Sequence, residues 1–213
     1  MIETEGQIEA VARAVEEREV EGQPARAVVL AQTYATDLDD LWAAVTTAER
    51  IARWFTVVSG DLRLGGRYQL EGNAGGTVTA CDPPRAFDAT WEMGDAVSWI
   101  EVRLTTVDDD HTTLELTHIA RPDDHWDLFG PGAVGVGWDL GLLGLATHLA
   151  SDGFERPEAD QWLATPGGRQ FAADSGRAWA EAHIAGGEDA DTARAASDRT
   201  IAAFTGAEPP PDP

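Results

Sequence analysis

His118 is the side chain in this sequence whose type and position most directly suggest chemistry. It follows Leu114 and Leu116 at a spacing of two, and alternate residues of a strand point to the same face, so we expect all three on the buried face of a sheet. A buried imidazole needs a hydrogen-bonding partner or a ligand, and its ordinary pKa lies close to neutrality. His118 therefore has three interpretations: a core histidine with satisfied hydrogen bonds, a ligand contact, or a catalytic residue.

Several common catalytic centres are excluded by the residue types present. All 15 basic residues are arginines, so the chain has no amine for a Schiff base, a covalent pyridoxal phosphate or a phosphate loop. No serine lies in a Gly-x-Ser-x-Gly elbow. Asp123, Asp124 and His125 are consecutive and lack a second ligand cluster, which favours a solvated loop over a metal site. We predict no cofactor, no metal and no assigned catalytic residue.

The charge of the chain limits its partners. The 38 acidic residues give a formal net charge of −23, which repels phosphate backbones and anionic lipid surfaces, so we predict no nucleic-acid partner. Such acidity is typical of a solvated surface. Cys81 is the one cysteine, and the first residues lack a charged-then-apolar pattern, so we expect a cytoplasmic protein.

The residues around His118 are predicted to form an antiparallel sheet. An apolar run at 27–31 predicts the first strand, and two short helices follow a cap at Asp37. Period-two patterns then predict a succession of strands, joined or ended at glycine, proline and aspartate turns. The strand residues that share a face are Leu62, Leu64, Tyr68 and Leu70; Phe87, Ala89, Trp91 and Met93; Ile100, Val102 and Leu104; and Leu114, Leu116 and His118. A further strand runs through Thr77, Val78 and Thr79 and is expected to end at Pro83 and Pro84.

Helices are predicted on both sides of these strands. A capping box at Thr4–Gln7 and the spacing of Ile8, Val11 and Val15 predict an opening helix. Residues 121–132 are predicted to be a polar loop, and residues 171–185 and 190–204 to be helices. The long helix at 133–150 carries one apolar stripe, which needs the sheet to cover it. That stripe is Val134, Trp138, Leu142, Leu145 and Leu149.

Four stretches resemble a known family. They are ATDLDDLWAAVTTAERIARWF (35–55), DLRLGGRYQL (61–70), VTACDPPRAFDATW (78–91) and GWDLGLLGLATHL (137–149). With the order of elements, they are similar to the activator of Hsp90 ATPase homologue (AHSA1-like) family of the START-like, or SRPBCC, superfamily. The resemblance implies an α+β helix-grip (Bet v 1-like) fold, in which a curved antiparallel sheet grips a long C-terminal helix.

The resemblance also implies where a ligand would lie, because members of the superfamily bind lipids or polyketides, or cyclise polyketides, in a cavity between sheet and helix. Trp54 and Phe55 end the second small helix, which borders one mouth of such a cavity, so they could line a ligand site; a Trp-Phe pair is also ordinary core material, which is the favoured interpretation. The other candidate contacts follow from strand and helix faces. They are Tyr68, Trp91, Ile100, Val102, Leu116 and His118 from the sheet, and Trp138, Leu142 and Leu145 from the helix.

We therefore predict four segments: an N-terminal helical extension (1–24), a START-like domain (25–150), a helical C-terminal extension (151–206) and a disordered tail (207–213). The first predicted function is binding of a hydrophobic small molecule, lipid or polyketide-like, without catalysis. One alternative is a polyketide cyclase or dehydratase that uses His118 and Tyr68. Another is a protein-interaction or chaperone-related regulatory module, with the terminal helices forming a homodimer or docking a partner. Asp139 and the glycines of the long helix favour a soluble core helix, so we predict no membrane insertion.

Overall fold

The computed structural model of the protein describes Thr4, residues 6–151 and residues 159–207. In chain order the elements are α1 (Gln7–Ala10), β1 (Ala12–Val20), β2 (Gln23–Tyr34), α2 (Leu38–Thr46), α3 (Ala48–Trp54), β3 (Val58–Gly60), β4 (Arg67–Leu70), β5 (Gly75–Asp82), β6 (Ala86–Met93), β7 (Ala96–Asp108), β8 (His111–Ala120), α4 (Asp124–Phe129), α5 (Gly132–Ala150), α6 (Ala159–Leu163), α7 (Pro166–Ala185) and α8 (Ala190–Thr205).

The eight strands form one antiparallel sheet in the order β1-β2-β8-β7-β6-β5-β4-β3. The predicted parity of β6 to β8 is confirmed, because the register pairs Trp91 with Ser98, and Ile100 with His118. Register shifts in β5 and β7 interrupt the ladders, and such bulges bend the strands that carry them.

The two predicted helices after β2 are confirmed, and their start is fixed by a cap. The side chain of Asp37 accepts a hydrogen bond from the backbone N–H of Asp40, at 2.8 Å. This satisfies one of the N–H groups that the first turn of α2 leaves without a helical partner. Leu41, Val45 and Ile51 are then buried along one side of the pair.

The predicted N-terminal helix over residues 1–24 is wrong beyond its first turn. Helix α1 ends at Ala10, and residues 12–20 form the edge strand β1. Val11 and Val15 fit a spacing of two as well as a spacing of four, and their branched side chains favour a strand. The chain reverses at Glu21 and Gly22, both with positive φ, which is the geometry of a two-residue hairpin turn.

The long helix α5 is confirmed, but its single apolar stripe is an incomplete description. Val136 and Leu143, on other sides of the helix, are as buried as Leu142 and Leu145, and Asp139 is only 1% exposed. Val134 and Leu149 are only half-buried. Helix α7 explains the second buried face, because its Trp179 ring lies where a Cβ on Gly135 would have to be.

Two shorter segments differ from the prediction. The strand before Gly65 is β3 at Val58–Gly60 rather than residues 62–64, which lie in a turn closed by hydrogen bonds from Arg63 to Asp61. The predicted polar loop at 121–132 contains α4, which begins where the Asp123 side chain accepts from the Trp126 N–H. In both cases an aspartate side chain accepts hydrogen bonds from a residue two or three positions further on, and such local bonds compete with regular backbone pairing.

The predicted helices beyond residue 151 are confirmed as α7 and α8. Gly167 and Gly168 do not break α7; they lie in its first turn, behind a cap at Thr165. Of the predicted tail at 207–213, residues 208–213 lie outside the described residues.

The described residues fall into two compact units. The first lies within Met1–Leu30, Arg121–Leu143 and Pro157–Pro213, and the second within Ala31–Ala120 and Gly144–Arg156. Among the described helices, α5 is the one long and apolar enough to cross a membrane, and 56% of that stretch is buried inside the protein. Core helices of soluble proteins meet the same criterion, so this is weak support for a span.

Candidate functional site

Four aromatic side chains of the second unit form a continuous row: Trp54, Phe55, Trp91 and His118. The ring centroids are 5.5 Å apart for Trp54 and Phe55, 6.5 Å for Phe55 and Trp91, and 6.0 Å for Trp91 and His118. These separations lie in the range of attractive aromatic pairs. We call this set the aromatic row, and all four of its members were predicted from the sequence as ligand contacts.

Helix α3 positions one end of the aromatic row. The Trp54 indole N–H donates to the Ala44 carbonyl of α2, at 2.9 Å, which fixes the orientation of the ring. Phe55 is the residue at which α3 ends. A Cβ on Gly144 of α5 would lie 2.4 Å from the Trp54 carbonyl oxygen. The glycine therefore allows the last turns of α5 to pack directly on α3.

The aromatic row is partly open to solvent at its centre. Trp54 and His118 are buried, whereas Phe55 and Trp91 are half-buried. Two apolar residues close to them in the chain are exposed. Val57, two residues after Phe55, is 53% exposed, and Met93, two residues after Trp91, is 57% exposed. A contiguous exposed apolar patch is the feature that marks a binding surface, whereas single exposed apolar side chains are common on any protein.

His118 is held by a serine that the sequence analysis did not select. Its Nε2 lies 2.8 Å from the Ser98 hydroxyl, which also donates to the Trp91 carbonyl at 3.1 Å. Since a hydroxyl has one proton, that donation makes His118 Nε2 the donor of the other bond. Ser98 shares the inner face with Ile100 and Val102, so strand parity was the signal that could have found it.

Burial lowers the pKa of His118 to about 4, because the charged imidazolium loses its hydration. The ring is therefore neutral near neutral pH. A base with this pKa takes up a proton poorly at pH 7, so the arrangement suits hydrogen bonding to a bound molecule better than proton abstraction.

Tyr68 is a second neutral polar group on the sheet. Its hydroxyl donates to the Thr90 carbonyl at 2.6 Å, and burial raises its pKa to about 12. Gly76 lies opposite Tyr68 in the ladder. A Cβ there would lie 2.0 Å from the Thr90 carbonyl oxygen and 2.9 Å from the phenol oxygen, so only glycine fits between them.

The remaining predicted contacts divide between the two units. Ile100, Val102 and Leu116 are buried on β7 and β8, and Leu145 is buried on the part of α5 that belongs to the second unit. Trp138 and Leu142 are buried in the first unit. Nine of the eleven predicted residues therefore lie in the second unit, and four of these nine form the aromatic row.

His148 lies in the last turn of α5. It is buried, and the Arg50 Nε donates to its Nε2 at 3.2 Å. Arg50 also pairs with Asp40, and this hydrogen-bonded cation lowers the pKa of the Asp40 carboxyl. Sequence periodicity gave no signal for this cluster, because its members come from three different helices.

A second buried polar cluster lies in the first unit around Asp139. Its carboxylate accepts from the Arg13 guanidinium at 2.8 and 3.1 Å, from the Ser175 hydroxyl and from the Trp179 indole N–H at 3.0 Å. Arg13 also donates to the carbonyls of Ile8 and Val11. The cluster joins β1, α5 and α7, and no ligand is needed to satisfy the carboxylate.

The described residues contain no group of three or more histidine, cysteine, aspartate or glutamate side chains placed to hold a metal. Asp123 caps α4, so its role in the Asp123–His125 segment is structural.

The sheet, the two small helices and the long helix define an α+β protein of the helix-grip class. Residues 35–150 match the family described as activator of Hsp90 ATPase homolog 1-like protein, which is more than half of the chain. The chain belongs to this family, as the sequence resemblance predicted.

Solved structures give the same fold. CalU16 from Micromonospora echinospora is 32% identical, with a TM-score of 0.67 over 81% of this chain and 98% of its own. MLL2253 from Mesorhizobium loti is 22% identical, with a TM-score of 0.53 over 59% of this chain and 97% of its own. DynU16, described as a protein in the dynemicin biosynthetic locus, is 20% identical, with a TM-score of 0.52 over 59% of this chain and 47% of its own. No curated protein matches the chain.

The likeness to CalU16 is longer than the family match. The family match spans residues 35–150, whereas the alignment with CalU16 covers 81% of this chain. The alignment must therefore extend into the residues on one or both sides of the family match. Part of the sequence that flanks the family core therefore also has a counterpart in CalU16.

Proposed function

We propose that this protein binds a hydrophobic small molecule, without catalysis, at the aromatic row of the second unit. The observation that carries the proposal is the row itself. Its central residues, Phe55 and Trp91, are half-buried, and their ring centroids are 6.5 Å apart. Pockets for small molecules are lined mainly by apolar and aromatic groups with a few polar groups that set orientation. His118 and Ser98 supply such polar groups at one end of the row.

The low pKa of His118 favours binding over the cyclase or dehydratase alternative. An enzyme of that kind needs a group that exchanges protons near its working pH, whereas His118 stays neutral down to a pH of about 4. Replacement of His118 by Gln keeps a neutral hydrogen-bonding side chain of similar reach. We expect this variant to retain binding.

Binding is tested with N-phenyl-1-naphthylamine, a neutral aromatic dye whose fluorescence rises in apolar surroundings. We expect saturable binding to the full chain and a loss of about fivefold in affinity for Trp91→Leu, because an aromatic partner contributes about 1 kcal/mol beyond its area. Trp42→Leu is the matched control, since Trp42 is also a half-buried tryptophan of the second unit but pairs with Phe87 outside the row.

Two results would contradict the proposal. One is the absence of saturable dye binding, and the other is an equal loss of affinity in the Trp91 and Trp42 variants. Native mass spectrometry of protein purified from its own host gives an independent test, because a retained small molecule adds a defined mass that the Trp91→Leu variant should lose.

A further inference from the structure

We infer that the ligand of the aromatic row is an uncharged aromatic molecule and that ligands carrying a carboxylate or sulfonate are rejected. This inference rests on the proposed function, and it chooses among the hydrophobic molecules that the proposed function leaves open. Fatty acids, which are anionic near neutral pH, fall on the rejected side.

The geometry of the row favours an aromatic ligand over an alkyl chain. The three ring pairs meet at interplanar angles of 36°, 46° and 63°, so none of them is a parallel stack. Ring faces carry negative and ring edges positive partial charge, and a further ring can pair with either. A saturated chain would gain only the area term from the same surface.

The polar groups at the row carry no charge that could hold an anion. His118 is neutral near pH 7, and its partner Ser98 is a hydroxyl. Tyr68 of β4 is neutral as well. Transfer of an anion from water to such a surface costs several kcal/mol unless a cation or several donors replace its hydration.

The arginines on the flanking elements do not fill this role. Arg50 of α3 is paired with Asp40, and Arg67 of β4 is paired with Glu92. Arg53 precedes Trp54 in the chain, but its side chain is exposed, where an ion pair contributes about 0–1 kcal/mol.

The charge of the whole chain acts in the same direction. A net charge of −23 lowers the local concentration of anions around the protein. This long-range effect is screened by salt, since the Debye length falls to about 3 Å at 1 M. Rejection that persists at high salt therefore reports on the site rather than on the surface.

The test compares two dyes with the same ring system, N-phenyl-1-naphthylamine and 8-anilino-1-naphthalenesulfonate, which differ by one sulfonate. We expect the sulfonate to bind the full chain at least about tenfold more weakly than the neutral dye, at about 0.1 M and at about 1 M NaCl. Arg53→Gln should leave the affinity of the neutral dye unchanged.

The outcomes separate the inference from the proposed function. If the sulfonate binds as tightly as the neutral dye and Trp91→Leu weakens both, the row binds small molecules but the inference on charge is wrong. If the preference for the neutral dye disappears at high salt, the inference is also wrong, because the surface charge then explains it. If neither dye binds saturably, the proposed function and the inference are both wrong.

Discussion

Replacement of Asp139 by Asn should destabilise the first unit more than any other single polar substitution that we consider. The Asp139 carboxylate is 1% exposed and accepts from three side chains, those of Arg13, Ser175 and Trp179. An amide has one acceptor oxygen instead of two and adds an N–H donor that faces other donors. The Arg13 guanidinium, also nearly enclosed, would lose its counter-charge.

Removal of one partner from a buried ion pair costs about 3–5 kcal/mol, because the remaining charge stays buried without compensation. In a chain of this length each kcal/mol lowers Tm by about 2–4 °C, so we expect Tm of the unit that contains Asp139 to fall by roughly 6–20 °C. Urea unfolding followed by tryptophan fluorescence gives the free energy from the midpoint and slope, and near-UV circular dichroism reports the loss of the fixed Trp179 environment.

Two variants serve as controls. Asp174→Asn is the same chemical change on α7, where the carboxylate pairs with Arg177 at the surface, and we expect it to cost less than about 1 kcal/mol. The double variant Arg13→Met with Asp139→Asn removes the guanidinium charge that Asp139→Asn leaves unpaired, while the amide oxygen can still accept from Ser175 or Trp179, so it should be less destabilised than Asp139→Asn alone. The reasoning is refuted if Asp139→Asn costs no more than Asp174→Asn, or if the double variant is the least stable of the three.

The other predictions concern helix α5 and two residues of β8. A methyl group at Gly135 would lie 2.2 Å from the Trp179 indole, and one at Gly144 would lie 2.4 Å from the Trp54 carbonyl oxygen. Gly135→Ala and Gly144→Ala should each lower the free energy of unfolding in urea by about 1–3 kcal/mol. Gly137→Ala is the control: its methyl group meets no atom within 4 Å, so it should raise the free energy of unfolding by up to about 1 kcal/mol. Thr112 is fully buried and its hydroxyl has no hydrogen-bond partner among the described residues, so Thr112→Val should raise the free energy of unfolding by about 1 kcal/mol; a decrease would show that the hydroxyl is bonded. Burial holds the pKa of His118 at about 4, below the value of about 6.5 in the unfolded chain, so the unfolded state binds the proton first as the pH falls. The free energy of unfolding should therefore decrease by about 3 kcal/mol between about pH 6.5 and pH 4 because of this residue. His118→Gln should flatten this part of the curve of stability against pH, and parallel curves for the two proteins would contradict the assignment.

The sheet and its inner face were predictable because they depend on short-range patterns. Strand alternation placed Trp91 and His118 on one face, and the register confirms it. The Asp37 cap and the two small helices were predictable for the same reason, since capping and helix spacing act within a few residues.

The N-terminal strand was not predictable from its own residues. Val11 and Val15 fit either a helix or a strand, and β-propensity depends on the strand with which a segment pairs. The decision is made by the hairpin turn at Glu21 and Gly22 and by the pairing with β2.

The sequence by itself determined the class of fold and the shared face of Trp91 and His118, because hydrophobic periodicity and the order of elements are written along the chain. The family, and with it the choice of Trp54 and Phe55, followed from the resemblance of four stretches to known relatives. Only the tertiary structure decided the partners of the polar groups: Ser98 for His118, Arg50 for His148 and Arg13 for Asp139. These pairs join residues from 20 to 126 positions apart, and a hydrogen bond depends on distances of tenths of an ångström that no local pattern specifies.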